Sequence, residues 1–133
     1  MKNGVKINEI KYIINPEKKI IICIMQCVID YGKTLPNVDI FSRMWRRRLP
    51  YIDRGGTFTV KAIAKCNKED TFNETIGKKL AESRANLKAF KIAAKFYDVI
   101  YSYYVIRAHE VFTMKKILIK TVESEENYLK TLI

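Results

Sequence analysis

Apolar and polar positions alternate with a period of two over "TFTVKAIAKC", Thr57 to Cys66, which predicts a strand. Phe58, Val60, Ala62, Ala64 and Cys66 fall on one face; Thr57, Thr59, Lys61, Ile63 and Lys65 fall on the other. The first face is small and apolar, a bed on which a helix can lie closely. Upstream, "YIINPEKKIII" predicts a hairpin. Its flanks are β-branched, Asn15 suits position i of a type I turn, and Pro16 at i+1 fixes φ. The second strand, Ile20 to Val28, is apolar on both faces until Gln26, so both need cover. Helices on one face and a second subunit on the other are expected in so small a chain.

From Thr71 onward the period changes to that of a helix. "TFNE" matches a capping box, with Thr71 as the cap and Glu74 reaching back. No proline follows, and the only glycine is Gly77. Ile76, Leu80, Leu87, Phe90, Ala94 and Tyr97 recur at helical spacing and are the expected core stripe. Beside them Gly77, Ala81, Ala85, Ala89 and Ala93 form a narrow ridge that allows close approach. "YDVIYSYYVIRAHEVF" is aromatic and nearly apolar all round, which points to burial between elements or between subunits. Periodic patterns beyond about 25 residues are unusual for one globular helix, so a long helix over about 72–112 and a shorter one over about 114–131 are predicted. The fold class is α+β: an N-terminal antiparallel β-sheet, then one long and one shorter C-terminal helix, oligomeric. A single domain, 1–133, holds the sheet with a long basic connection in 1–70 and the helical part in 71–133.

The connection, "YGKTLPNVDIFSRMWRRRLPYIDRGG", predicts a short helix from Val38 to Arg48, capped by Asp39 and stopped by Pro50. Connections this long inside a small domain are usually functional or disordered. The longest apolar run, Ile20 to Ile29, is far short of the roughly 20 residues that span a bilayer. "MKNGVKINEIK" at the start has no apolar region of the secretory kind. Cys23, Cys27 and Cys66 are odd in number and lack zinc-type pairing with His. Small buried thiols in a reducing cytosol are the expectation for Cys23 and Cys27.

Charge narrows the choice of partner. The chain carries 25 Lys and Arg against 14 Asp and Glu, a formal net charge of +11. Such a balance favours an anion: a nucleic acid, a nucleotide or another phosphate. Arg84, Lys88, Lys91 and Lys95 line one face of the long helix, as either a solvated face or a rim that guides phosphates. In "MWRRR" Trp45 either stacks on a base or plugs the core. Arg54 stands beside Gly55 and Gly56, where the backbone turns sharply or approaches a ligand. Arg107 is a fixed charge within an apolar stretch, so it needs a carboxylate such as Glu110, water or an anionic ligand. Tyr97, Tyr101, Tyr103 and Tyr104 are further stacking candidates. His109, the only histidine, reads as a helix-surface or interface residue. Asp70, Glu69 and Glu74 cluster at the turn, where capping explains them. No phosphate loop, zinc pattern or nucleophile elbow occurs, so an enzyme, a metal site and a cofactor are not expected.

"AKCNKEDTFNETIGKKLAESRANLKA" resembles the strand-to-helix core of small proteins from phages of Firmicutes. The shared features are an alternating strand ending in Cys, an acidic turn with Phe, then Gly followed by Leu-Ala and an Arg. The layout is similar to the first-described family of Thoeris anti-defence proteins. That resemblance implies a non-catalytic sponge for cyclic ADP-ribose-type signals made by an antiviral TIR-domain protein. Some members of that family also hold cyclic di- or trinucleotides. It further implies homodimers or higher homo-oligomers through the helices, pockets at subunit interfaces, and the cytoplasm of the bacterial host, with no membrane partner. The candidate ligand-binding residues are Arg54, Arg107, Arg84, Lys88, Gly55 and Tyr104; catalytic residues and metal ligands are none. Nucleic acid is the second-choice partner, through direct binding or inhibition of a nucleic-acid-targeting immune complex. A structural or regulatory phage protein whose helices pair with a host partner is the third reading.

Overall fold

The computed structural model describes residues 4–30, 43, 45–67 and 70–133. The helix expected over Val38–Arg48 lies partly outside them, and its Asp39 cap and Glu69 lie wholly outside. Residues 45–48 are helical, and Leu49 N donates to Trp45 O at 2.6 Å. The chain divides into two compact units, Met1–Tyr97 and Asp98–Ile133.

In the first unit β1 (Val5–Asn15), β2 (Ile20–Ile29) and β3 (Thr57–Lys65) form an antiparallel sheet in the order β1-β2-β3. A register shift between Ile7 and Glu9 interrupts the first pairing. At the hairpin the Asn15 side chain accepts from Lys18 N, at 3.1 Å, as the local chemistry of Asn leads one to expect. The backbone bond of the turn runs from Lys19 N to Pro16 O, one residue later than predicted, and Lys19 closes the turn at φ 54°. Alternation in β3 is as read: Phe58, Val60, Ala62 and Ala64 are buried, while Thr59, Lys61, Ile63 and Lys65 are exposed.

One helix, α1 (Glu74–Leu132), follows. The predicted break near residue 113 does not occur. No proline or glycine follows Gly77, and the good helix formers Met114, Lys115, Lys116, Leu118 and Lys120 surround the point of the expected division. The cap also differs from expectation. Asn73 Oδ1 accepts from Ile76 N at 3.1 Å, so Asn73, an intrinsically better cap than Thr, takes the place assigned to Thr71.

A larger correction concerns the face of α1 that enters the core. Ala81, Ala85, Ala89 and Ala93 are buried with Phe96, whereas Ile76 is 63% and Leu87 53% exposed, and Leu80 and Phe90 are exposed too. The ridge of small residues, not the apolar stripe beside it, is the contact surface. A Cβ built on Gly77 would stand 2.5 Å from Ile21 Cδ1 on β2, so a larger residue there has to displace the end of that side chain. The large volumes of the core come from Ile21, Met25, Ile29, Trp45, Ile52 and Phe96 instead.

Trp45 plugs this core. It is fully buried, its ring lies 4.9 Å from that of Phe96, and its Nε1 donates to Asp53 O at 3.3 Å. Of the two roles open to it, this one uses both its apolar body and its polar tip. Cys23 and Cys27 are buried, and that burial pushes both thiols up from the ordinary range.

Candidate anion-binding surface

β3 is an edge strand, and its odd-numbered residues turn their backbone groups away from β2. Such an edge is usually blunted by charge. Here Arg84 Nη1 donates to Ile63 O at 2.8 Å, and Lys88 Nζ donates to Lys61 O at 2.6 Å. Arg84 and Lys88 reach the edge because their positions lie one turn apart on α1, and the Ala ridge holds the helix close enough. A carbonyl is a neutral acceptor, so these bonds fix the two cations without cancelling their charge. Lys65 extends the row to the end of the strand.

At that end the row meets a second group of cations. Ile20 pairs with Lys65 across the sheet, and Cys66 N donates to Lys19 O at 2.9 Å. The hairpin turn thereby lies against the end of β3. A depression of about 470 Å3 opens there, lined by Glu17, Lys18, Lys19, Ile20, Lys65 and Cys66. Lys19 Nζ donates to Asp70 O at 2.5 Å. The lining of the depression carries three lysines and one glutamate. Its size falls within the range that encloses a small ligand.

The other candidates lie elsewhere. Arg54 and Gly55 are exposed on the turn that enters β3. Their neighbour Gly56 is buried at φ 80°; its N donates to Asp53 O and its O accepts from Ile29 N. This glycine is therefore needed for the turn. Arg107 and Tyr104 belong to the second unit and are exposed. Arg107 Nη1 bonds Glu110 Oε2 at 2.8 Å, and its guanidinium lies 5.1 Å from the Tyr103 ring centre. The bond to Glu110 holds it further above its ordinary value. The aromatic stretch around Arg107 is not enclosed within the chain, so the expected cost of desolvating that charge does not arise.

Lys91 and Lys95 are exposed on α1, and Lys78 pairs with Glu74 at 3.2 Å over the Tyr12 ring. Among the described residues no group of three or more His, Cys, Asp or Glu is placed to hold a metal ion, and no helix is long and apolar enough to cross a membrane.

Lys18, Lys19 and Lys65 were not singled out by spacing. Their proximity depends on the β2–β3 register, which pairs residues far apart in sequence. Aligning the apolar runs of Ile20–Ile29 and Thr57–Lys65 in antiparallel order is the one signal that brings them together. Comparison with protein-family models, with curated proteins and with solved structures finds no match to this chain.

Proposed function

We propose that the protein is a non-catalytic binder that sequesters a small phosphorylated nucleotide signal of the cyclic ADP-ribose or cyclic oligonucleotide class. The resemblance in "AKCNKEDTFNETIGKKLAESRANLKA" suggests the ligand class; the lysine-lined depression at the end of β3 is the observation that carries the site. Lys18, Lys19 and Lys65 receive the phosphates, and Arg84 and Lys88 extend the attractive field along the strand edge.

The test incubates purified protein with the signal produced by a TIR-domain enzyme, filters the mixture, and assays the filtrate before and after boiling. A binder removes the signal and returns it unchanged on denaturation, and a Lys18→Ala/Lys19→Ala/Lys65→Ala variant leaves it in the filtrate. A signal that stays free with the wild type, or returns chemically altered, refutes the proposal. The linear order of Lys65, Arg84 and Lys88, with Lys91 and Lys95 exposed nearby on the helix, favours one second reading: a single nucleic-acid strand tracked by its phosphates. That reading requires affinity for an oligonucleotide to fall steeply with salt, as each neutralised phosphate releases counterions.

A further inference from the structure

Within the first unit, the side of α1 opposite the alanine ridge carries an apolar stripe. Ile76, Leu80, Leu87 and Phe90 follow one another in steps of four, seven and three, which places them on one face of the helix. They are 63%, 42%, 53% and 41% exposed, in contrast to the buried ridge. A contiguous apolar surface of this kind marks a contact with a protein or a membrane.

Charge decides between the two. At 3.6 residues per turn Lys79 falls on one flank of the stripe, and Arg84 and Lys91 fall on the other. Lys79 is one turn beyond Ile76, Arg84 is one turn from both Leu80 and Leu87, and Lys91 is one turn beyond Leu87. All three cations are exposed. From Thr75 to Tyr97 the helix has six Lys and Arg and a single carboxylate, Glu82. That carboxylate is turned to the sheet, where it accepts from Tyr12 Oη at 3.0 Å.

A second copy laid on this stripe would bring cationic flanks against cationic flanks. A nucleic acid neutralises them but offers no apolar phase to the leucines. A partner helix would need carboxylates on both sides of its own stripe. An anionic lipid surface meets every requirement at once, with headgroups for the cations on both flanks and acyl chains for the stripe. We infer that this face of α1 docks the protein on anionic membranes, the helix lying in the interface. The stripe is one-sided, and among the described residues no helix is long and apolar enough to cross a membrane, so the contact is peripheral. This inference runs against the absence of a membrane partner that the resemblance implies, and it does not depend on which ligand the lysine-lined depression holds.

Flotation of the full chain tests it, with vesicles of phosphatidylcholine alone and vesicles that contain about 30% phosphatidylglycerol. Wild type is expected to float with the anionic vesicles and to stay in solution beside the neutral ones. Leu80→Ser/Leu87→Ser keeps every charge and should weaken binding to the anionic vesicles roughly tenfold or more. Lys79→Gln/Lys91→Gln keeps the stripe and should weaken it by roughly the same factor. Because all four positions are exposed, far-UV circular dichroism and the unfolding midpoint should match those of wild type in both variants. Attraction by charge elsewhere on the molecule would survive the leucine substitutions, and that result would overturn the inference. So would a wild type that floats with neither set of vesicles or equally with both. A lipid-free wild type whose self-association, read by sedimentation velocity, is abolished by Leu80→Ser/Leu87→Ser would assign the stripe to a second copy and overturn it too.

Discussion

Between Ala81 and Phe96 the helix buries a residue every turn; beyond Tyr104 it buries none. The backbone is the same in both stretches, and the second has more large apolar side chains than the first. What separates them is the size of the residues on the contact line. Alanines let the first stretch lie on the sheet, where Trp45, Met25 and Ile21 supply the volume. The second carries Leu118, Val122 and Leu129, all exposed. The same element thus presents a small-residue surface that is buried and then a larger apolar one that is exposed.

Truncating one phenylalanine in each stretch gives the largest contrast. Phe96 is fully buried against Trp45, and Phe96→Ala should cost about 3–5 kcal/mol. Phe112 is 52% exposed, and Phe112→Ala should stay within about 0.5 kcal/mol when measured at a dilution where any association is lost. Urea unfolding followed by circular dichroism measures both. Equal costs would erase the distinction between the two stretches.

Adding volume tests it from the other side. Ala85 lies in the ridge with no exposed surface, so Ala85→Leu must push α1 off the sheet or force strained rotamers. Such overpacking typically costs about 1–3 kcal/mol. The hydrogen bonds of Arg84 and Lys88 to the edge of β3 should loosen with it, because their reach depends on how close the helix lies. A melting temperature unchanged by Ala85→Leu would show that the ridge is not the contact surface.

That ridge marks where the sequence could be read and where it could not. The period of α1 and the alternation of β3 are local properties, and both are legible in the residues themselves. Which stripe of the helix faces inward is not local, because it depends on how much room the opposing surface leaves. Ile76, Leu80, Leu87 and Phe90 are the more hydrophobic stripe, yet Ala81, Ala85, Ala89 and Ala93 are the residues that are buried. The candidate site divides in the same way. Arg84 and Lys88 stand out as a pair one turn apart on a helix, whereas their acceptors on β3 and the lysine corner at the hairpin follow from pairing between distant segments. Arg107 was singled out by the apolar character of its neighbours; with those neighbours exposed, Glu110 and Tyr103 account for its placement.

The smallest effect concerns a proton that ties the sheet to the packed stretch of the helix. Tyr12 Oη donates to Glu82 Oε2 at 3.0 Å. Burial first, and the bond to this carboxylate second, push the Tyr12 hydroxyl up from 10.0 to about 12. The folded chain therefore keeps this proton to a higher pH than the unfolded chain does. Its contribution to stability is complete below pH 10 and is lost as the pH rises through about 12. Tyr12→Phe has no such proton, so its stability should fall less steeply than that of wild type across this window; the lysines and other tyrosines, common to both, cancel in the difference. Urea midpoints at a neutral pH and at several points above pH 10 supply the two slopes. Glu82→Gln keeps an acceptor but removes the charge, so the wild-type excess should shrink without vanishing. Parallel slopes for wild type and Tyr12→Phe would mean that neither burial nor the bond to Glu82 raises this hydroxyl in solution.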